Sequence, residues 1–157
     1  MATLYSSLFD SAGVRKLQPR WQSGATLTVT GQYTFTSAFS NADVIQMVPI
    51  PKDAKIVNWT LSSTDNDTNG TPTLTYDLGD GGDVDRFAAG LTTGQAGGNA
   101  MPSSGRTVTT SSGVVNVGLG YKYTEDDTID IVIAAGPATG ATSGTIILSV
   151  TYFCGEW

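Results

Sequence analysis

Apolar and polar residues alternate along most of this chain. In ATLTVTGQYTF, residues 25–35, the apolar members Ala25, Leu27, Val29, Tyr33 and Phe35 hold odd positions, with threonines and Gln32 between them. That two-residue period is the mark of a strand with one face buried and the other wet. The alternation recurs at Val57, Trp59 and Leu61, at Leu74, Tyr76 and Leu78, and at Val115, Val117, Leu119, Tyr121 and Tyr123. It returns at Ile129, Ile131 and Ile133, and again at Ile146, Leu148, Val150, Tyr152 and Cys154. DVIQMV, residues 43–48, reads as a more fully buried strand ending at Pro49. Val, Ile and Thr fill these segments; they lose rotamer freedom in helices and pack well on a pleated sheet. Short strands separated by turn residues, with no helical period between them, predict an all-β fold. The expected form is an antiparallel, jelly-roll-like β-sandwich of about eight strands.

Two stretches break the alternation. Residues 1–24 show no sustained period beyond a short helical turn around LYSSLF, and are expected to form an extended N-terminal arm. Fully stretched, such an arm would reach roughly 80 Å. Residues 25–157 are expected to form a single β-sandwich domain, carrying a long Gly/Ser/Thr-rich loop over 90–113. Loops of that length are either flexible or ordered by a partner.

Composition narrows the chemistry. A chain of 157 residues can close one core without a disulfide or a metal. The single Cys154 excludes an intramolecular disulfide. No export leader is recognisable, so synthesis and folding are expected in a reducing host cytoplasm. Apolar runs such as IVIAA fall far short of the about 20 residues of a membrane-spanning helix, and no membrane partner is expected. Histidine is absent. Imidazole acid–base catalysis, His-activated nucleophiles and the commonest zinc sites are thereby excluded. Charge is uneven: residues 1–24 carry Arg15, Lys16 and Arg20 against Asp10, a net +2, and the remainder is net −8. An acidic body repels phosphate backbones, so no nucleic-acid partner is expected.

Three acidic stretches are candidate sites. TYDLGDGGDVDRF, residues 75–87, holds four aspartates, three glycines and one arginine. It admits a cation, a carboxylate pair or a bend. Leu78 ends one alternating run, Gly79, Asp80, Gly81 and Gly82 tolerate positive φ, and Val84 and Phe87 resume an apolar pattern. A hairpin turn accounts for the glycines without a ligand. Gly79, Asp80, Gly81, Gly82, Asp83, Asp85 and Arg86 are therefore assigned to a structural turn, with Arg86 pairing Asp83 or Asp80. No catalytic, cofactor or metal residue is assigned. DNDTNG, residues 65–70, matches half of an EF-hand loop, but Tyr76 stands where the closing glutamate belongs, so a turn is expected. TEDDTID, residues 124–130, reads as a solvated turn entering a strand, with Asp130 wet on the face opposite Ile129 and Ile131.

Trp59 lies in register with Val57 and Leu61 and is expected in the core, as is Cys154. The Asn-X-Thr triplets at Asn58, Asn66 and Asn69 carry no meaning without export. Trp21 and Trp157 lie outside the alternating strands and are natural anchors on another subunit.

The stretch ADVIQMVPIPKDAKIVNWTLSSTDNDTNGTPTLTYDLGDGGDVDRFAAG, followed by YTEDDTIDIVIAAGPATGATSGTIILSVTY, resembles the head decoration or auxiliary capsid proteins of tailed bacteriophages. In that family GDGGDVDRF would be a fold signature, carried here by Gly79, Asp80, Asp83, Asp85, Arg86 and Phe87. The resemblance implies a virion structural protein on the head exterior, without enzymatic activity. It also implies two partners, the major capsid protein and further copies of itself, as a homotrimer. Leu4, Tyr5, Leu8, Phe9, Leu17 and Trp21 would be buried on binding, and Arg15, Lys16 and Arg20 would meet acidic groups of the shell. An alternative is a carbohydrate-binding or host-recognition β-sandwich on a phage fibre. That needs solvent-facing aromatics near 90–113, where the sequence has none. A third is a glycosidase using Asp80 and Asp83 as paired carboxylates.

Overall fold

The computed structural model describes residues 3–8, 26–102, 108–110, 113–115 and 118–154, with 108–110 and 113–115 given by their backbone. Among them no helix forms and eleven strands do. These are β1 (Thr3–Tyr5), β2 (Thr26–Phe35), β3 (Val44–Ile50), β4 (Ala54–Ser63), β5 (Thr75–Asp80) and β6 (Asp83–Leu91). They continue as β7 (Gly98–Ala100), β8 (Val108–Thr110), β9 (Gly113–Val115), β10 (Asp127–Ala135) and β11 (Gly144–Cys154).

One sheet runs β2-β11-β4-β7; the other contains β3-β10-β5-β6, extended by β1 at one edge and by β9 and β8 at the other. The two four-stranded sets are the opposed sheets of a jelly roll, so the expected sandwich and its eight strands are present, with β1, β8 and β9 added. The inner faces follow the sequence period: Phe35, Trp59, Leu61, Leu74, Tyr76, Leu78, Ile131, Ile133, Leu148, Val150 and Tyr152 are buried in one core. Cys154 is buried with them.

Several expectations are corrected. The first is the arm. Residues 3–8 are not extended from the domain: Thr3–Tyr5 pairs in parallel with Val44–Gln46, Leu8 is buried, and Leu4 and Tyr5 pack against the core. Of the helical turn expected around LYSSLF a turn at Ser7 and Leu8 is present among the described residues, while the backbone groups of Leu4–Ser6 are taken by β3. Phe9, Arg15, Lys16, Leu17, Arg20, Trp21 and Trp157 lie outside the described residues. The 90–113 stretch is not a structureless loop, since β7, β8 and part of β9 fall within it and β6 runs on to Leu91. Val57 points outward at 40% exposure, where the pattern placed it inward. Thr151 pairs Asn58 and Tyr152 pairs Ile56, so Val57 is the extra residue of a bulge and Ile56 takes the inward position. Strand β3 runs through Pro49 instead of ending there. Around 115–123, among the described residues, only Gly113–Val115 and an isolated bridge from Lys122 to Lys55 are β-structure, and Tyr121 is exposed while Tyr123 is buried.

Candidate functional site

Three constructions gather the polar side chains that the sequence singles out. The first is the β5–β6 hairpin. Asp80 pairs with Asp83 across Gly81 and Gly82, so the stretch is a two-residue turn as expected. None of Gly79, Gly81 and Gly82 has a positive φ, however. Gly79 is required for a different reason: a Cβ there would run into the backbone of Asp83 and Val84, which crosses directly over it.

Asp80 is an internal tie. Its Oδ2 accepts from Arg86 Nε at 2.5 Å and from Tyr123 Oη at 2.9 Å. Its Oδ1 accepts from Gly82 N at 3.0 Å, Asp83 N at 2.9 Å and Arg86 Nη2 at 3.1 Å. Burial alone would raise this carboxyl. The bonds from Arg86 and Tyr123, the Arg86 charge and the Gly82 amide outweigh it and hold Asp80 below the usual carboxylate range. Burial, then the charge of Asp80, drives the Tyr123 hydroxyl upward. Arg86 lies 3.8 Å above the Tyr121 ring centre, and Tyr121 meets Tyr123 edge-on at 5.1 Å. Arg86 therefore chooses Asp80; Asp83, at 3.9 Å, is a weaker second partner. Asp83 in turn bonds Asp85 and raises its pKa, with smaller contributions from burial and from the Asp83 and Asp77 charges.

A carboxylate has about four lone-pair directions. Asp80 fills them from its own chain, leaving nothing for a substrate or cation. Beside it lies an open cleft of about 320 Å³ lined by Gly81, Tyr121, Tyr123 and the acids Glu125, Asp126 and Asp127. Among the described residues no group of three or more Cys, Asp or Glu side chains is placed to hold a metal ion.

The second construction is DNDTNG. Asp67 Oδ2 accepts from the amides of Thr73 (2.7 Å), Leu74 (3.1 Å) and Ala138 (2.9 Å), and Oδ1 from Thr139 (2.9 Å) and, more loosely, Asn69 (3.4 Å). One carboxylate thus fastens its own loop to the loop after β10. Burial opposes the charge, but the amides of Thr139, Ala138, Thr73 and Leu74 prevail and hold Asp67 far below the ordinary value. The turn reading of this stretch holds; the long-range tie to 138–139 was not visible, because nothing in sequence marks those amides as unpaired.

Asp130 corrects the reading of TEDDTID. It is not wet but 6% exposed, and its Oδ1 has no hydrogen-bond partner. Its strand β10 lies between β3 and β5, opposite Gln46 and Gly79, with a register shift at Ile129/Asp130. Burial, reinforced by the charges of Asp127 and Asp80 and opposed by a bond with Thr128, pushes its pKa up to about 7.

The third construction is the N-terminal clasp. Ser6 N donates to Gln46 O at 2.9 Å and Ser6 Oγ donates to Met47 O. Ser7 N then donates to Gln32 O at 2.6 Å, and Gln32 N to Ser7 Oγ at 3.2 Å. Residues 3–8 therefore cross from β3 in one sheet to β2 in the other and close that side of the sandwich. Gly31 permits the approach, since a Cβ there would meet the Met47 carbonyl.

No protein-family model matches the chain, and no curated protein does. Solved structures do. A chain of "Capsid of Ralstonia phage GP4" superposes with a TM-score of 0.79 at 26% identity, covering 99% of this chain and 100% of that one. A chain of "Cyanophage Pam1 capsid asymmetric unit" gives 0.68 at 27% identity, covering 94% and 99%. The likeness spans whole chains, so this β-sandwich is similar to chains of phage capsids, and that similarity supports a structural place in a virion.

Proposed function

We propose that the chain decorates or cements the outer surface of a bacteriophage head, binding the major capsid protein and stabilising the mature shell as a homotrimer. The observation that carries this reading is the end-to-end likeness to capsid chains, 99% of this chain against 100% of the other. The absence of histidine and the saturation of Asp80 and Asp67 by the chain's own donors support a role without chemistry. A cement acts by differential affinity: it binds the expanded, assembled shell better than any other state, and so shifts the equilibrium toward that state.

The clasp revises which residues serve as the grip. Leu4, Tyr5 and Leu8 are spent on their own domain. The shell contact falls to Phe9, Leu17, Trp21 and Trp157 for apolar burial, and to Arg15, Lys16 and Arg20 for acidic groups of the shell. Deleting residues 1–24 would also remove the clasp, so the test keeps 3–8. Full-length protein and a variant carrying Arg15→Glu, Lys16→Glu, Arg20→Glu and Trp21→Ala are added to particles stripped of this chain. Saturable binding by the wild type and its loss in the variant, with unchanged melting of the free protein, is the expected result. Equal binding of the variant would refute the arm contact, and failure of the wild type to bind mature particles would refute the decoration role.

A further inference from the structure

Asn69 is followed by Gly70 in the bend between Asp67 and β5, and no other asparagine of the chain precedes a glycine. Asn41 and Asn99 precede alanines, Asn58 a tryptophan, Asn66 an aspartate and Asn116 a valine. Asn69, Gly70 and Thr71 are all exposed. The side-chain amide of Asn69 is held at both ends: its Oδ1 accepts from Thr71 N at 2.9 Å, and its Nδ2 donates to Thr139 Oγ1 at 2.9 Å. Gly70 N has no acceptor among the described residues. Nothing in the geometry of the bend requires the glycine. Its φ is not positive, and a Cβ added there would meet nothing within 4 Å. What the missing Cβ does leave is open access to a main-chain nitrogen directly after an asparagine amide.

We propose that Asn69 is a site of spontaneous deamidation, and that its conversion loosens the loop that Asp67 ties to residues 138–139. Gly70 N loses its proton to water and bonds to Asn69 Cγ. The Cγ–Nδ2 bond breaks, the nitrogen leaves as ammonia, and a cyclic imide closes across the two residues. Water then opens the imide at either carbonyl. Breaking the new bond between Gly70 N and Cγ leaves aspartate; breaking the main-chain bond between Asn69 C and Gly70 N leaves isoaspartate. The sum consumes water and releases ammonia, with no oxidant or cofactor. As Cγ becomes tetrahedral, negative charge gathers on Oδ1, where the Thr71 amide already donates. Either product loses the Nδ2 donor to Thr139 and gains a negative charge close to Asp67, whose Oδ1 lies 3.4 Å from Asn69 N. Isoaspartate also adds a methylene to the main chain between Asp67 and the Thr73 and Leu74 amides that its carboxylate binds. The reaction goes beyond the shell-binding reading and does not depend on it.

The full-length protein, aged in warm, mildly alkaline buffer, is digested and its peptides are read by mass spectrometry. Asn69 is expected to convert roughly tenfold or more faster than Asn41, Asn58 or Asn99, giving both aspartate and isoaspartate. Gly70→Ala, which the bend accommodates, is expected to slow the conversion by a similar factor. Melting of the folded protein reads the second half of the proposal. The aged wild type should melt below its fresh sample, while Gly70→Ala treated alongside keeps its Tm. Conversion at Asn69 no faster than at Asn41 overturns the site. A rate that Gly70→Ala leaves unchanged, or aspartate without isoaspartate, overturns attack by Gly70 N. Full conversion with an unaltered Tm overturns the loosening.

Discussion

Replacing Asp67 by alanine isolates the physical idea on which the loop architecture rests. The carboxylate receives four amide bonds between 2.7 and 3.1 Å, two from its own loop and two from Ala138 and Thr139. Hydrogen bonds to a charged group are each worth about 1.5–3 kcal/mol, but those sharing one acceptor do not add, and partly exposed amides regain water. A loss of about 3–5 kcal/mol follows. For a domain of this size that corresponds to a fall in Tm of roughly 6–20 °C. The pH dependence has a definite sign. The folded-state pKa lies below the unfolded value of 3.8, so the stabilisation is fully present above pH 3.8 and is lost as pH falls through the folded value. Calorimetric melts of wild type and Asp67→Ala should therefore converge in acid. A gap of under about 2 °C at pH 7, or one that stays constant into strong acid, would show that the charge is not what ties the loops.

Two further substitutions examine the other carboxylates. Arg86→Leu strands the buried Asp80 charge and should cost about 2–4 kcal/mol, below the full penalty of a broken buried pair because Arg86 is 17% exposed; chemical denaturation reads it, and adding Asp80→Asn should recover part of the loss. Asp130→Asn should stabilise the protein at pH 8 by roughly 2–4 kcal/mol and change little at pH 4. The wild-type carboxyl is raised from 3.8 to about 7, so its favourable contribution is complete below 3.8 and is lost as pH rises through 7; equal melts of the two proteins at pH 8 would contradict its burial.

The sandwich was legible because its inner faces obey a strict period of two. Leu74, Tyr76 and Leu78, or Ile146 through Tyr152, point inward as the alternation requires. The pattern failed in two ways: the bulge at Val57 puts a residue where parity would not, and Asp130 keeps the side opposite Ile129 and Ile131, in register with Gly79, but is buried there. Parity can be read from a sequence, but a slip is set by the partner strand. The acidic turns were legible as turns from their glycines and aspartates, yet the groups they bind were not. Tyr123 is 43 residues from Asp80, and Thr139 is 72 residues from Asp67. The clasp escaped notice for a related reason. Thr3–Tyr5 is too short to show a period, and its parallel pairing with β3 is dictated by where that edge lies after the sheets have packed.

That clasp changes how residues beyond it can act. A tail free from residue 1 to residue 24 would sweep roughly 80 Å. Instead the chain is held at Ser7 beside Gln32, and again where β2 begins at Thr26. These anchor points lie six strand positions apart, about 20 Å along one edge. The residues numbered 9–25 are therefore tethered at both ends, and their contour of about 58 Å allows an excursion of only about 25–30 Å from that edge. Double tethering lowers the entropy lost on docking, since part of the closure cost is already met by folding. If, as proposed, the cations and aromatics of this stretch grip a shell, the tether would confine that grip to a surface beneath or beside their own domain. A decoration protein built this way would bind by its footprint and would fasten neighbours only where they meet under it.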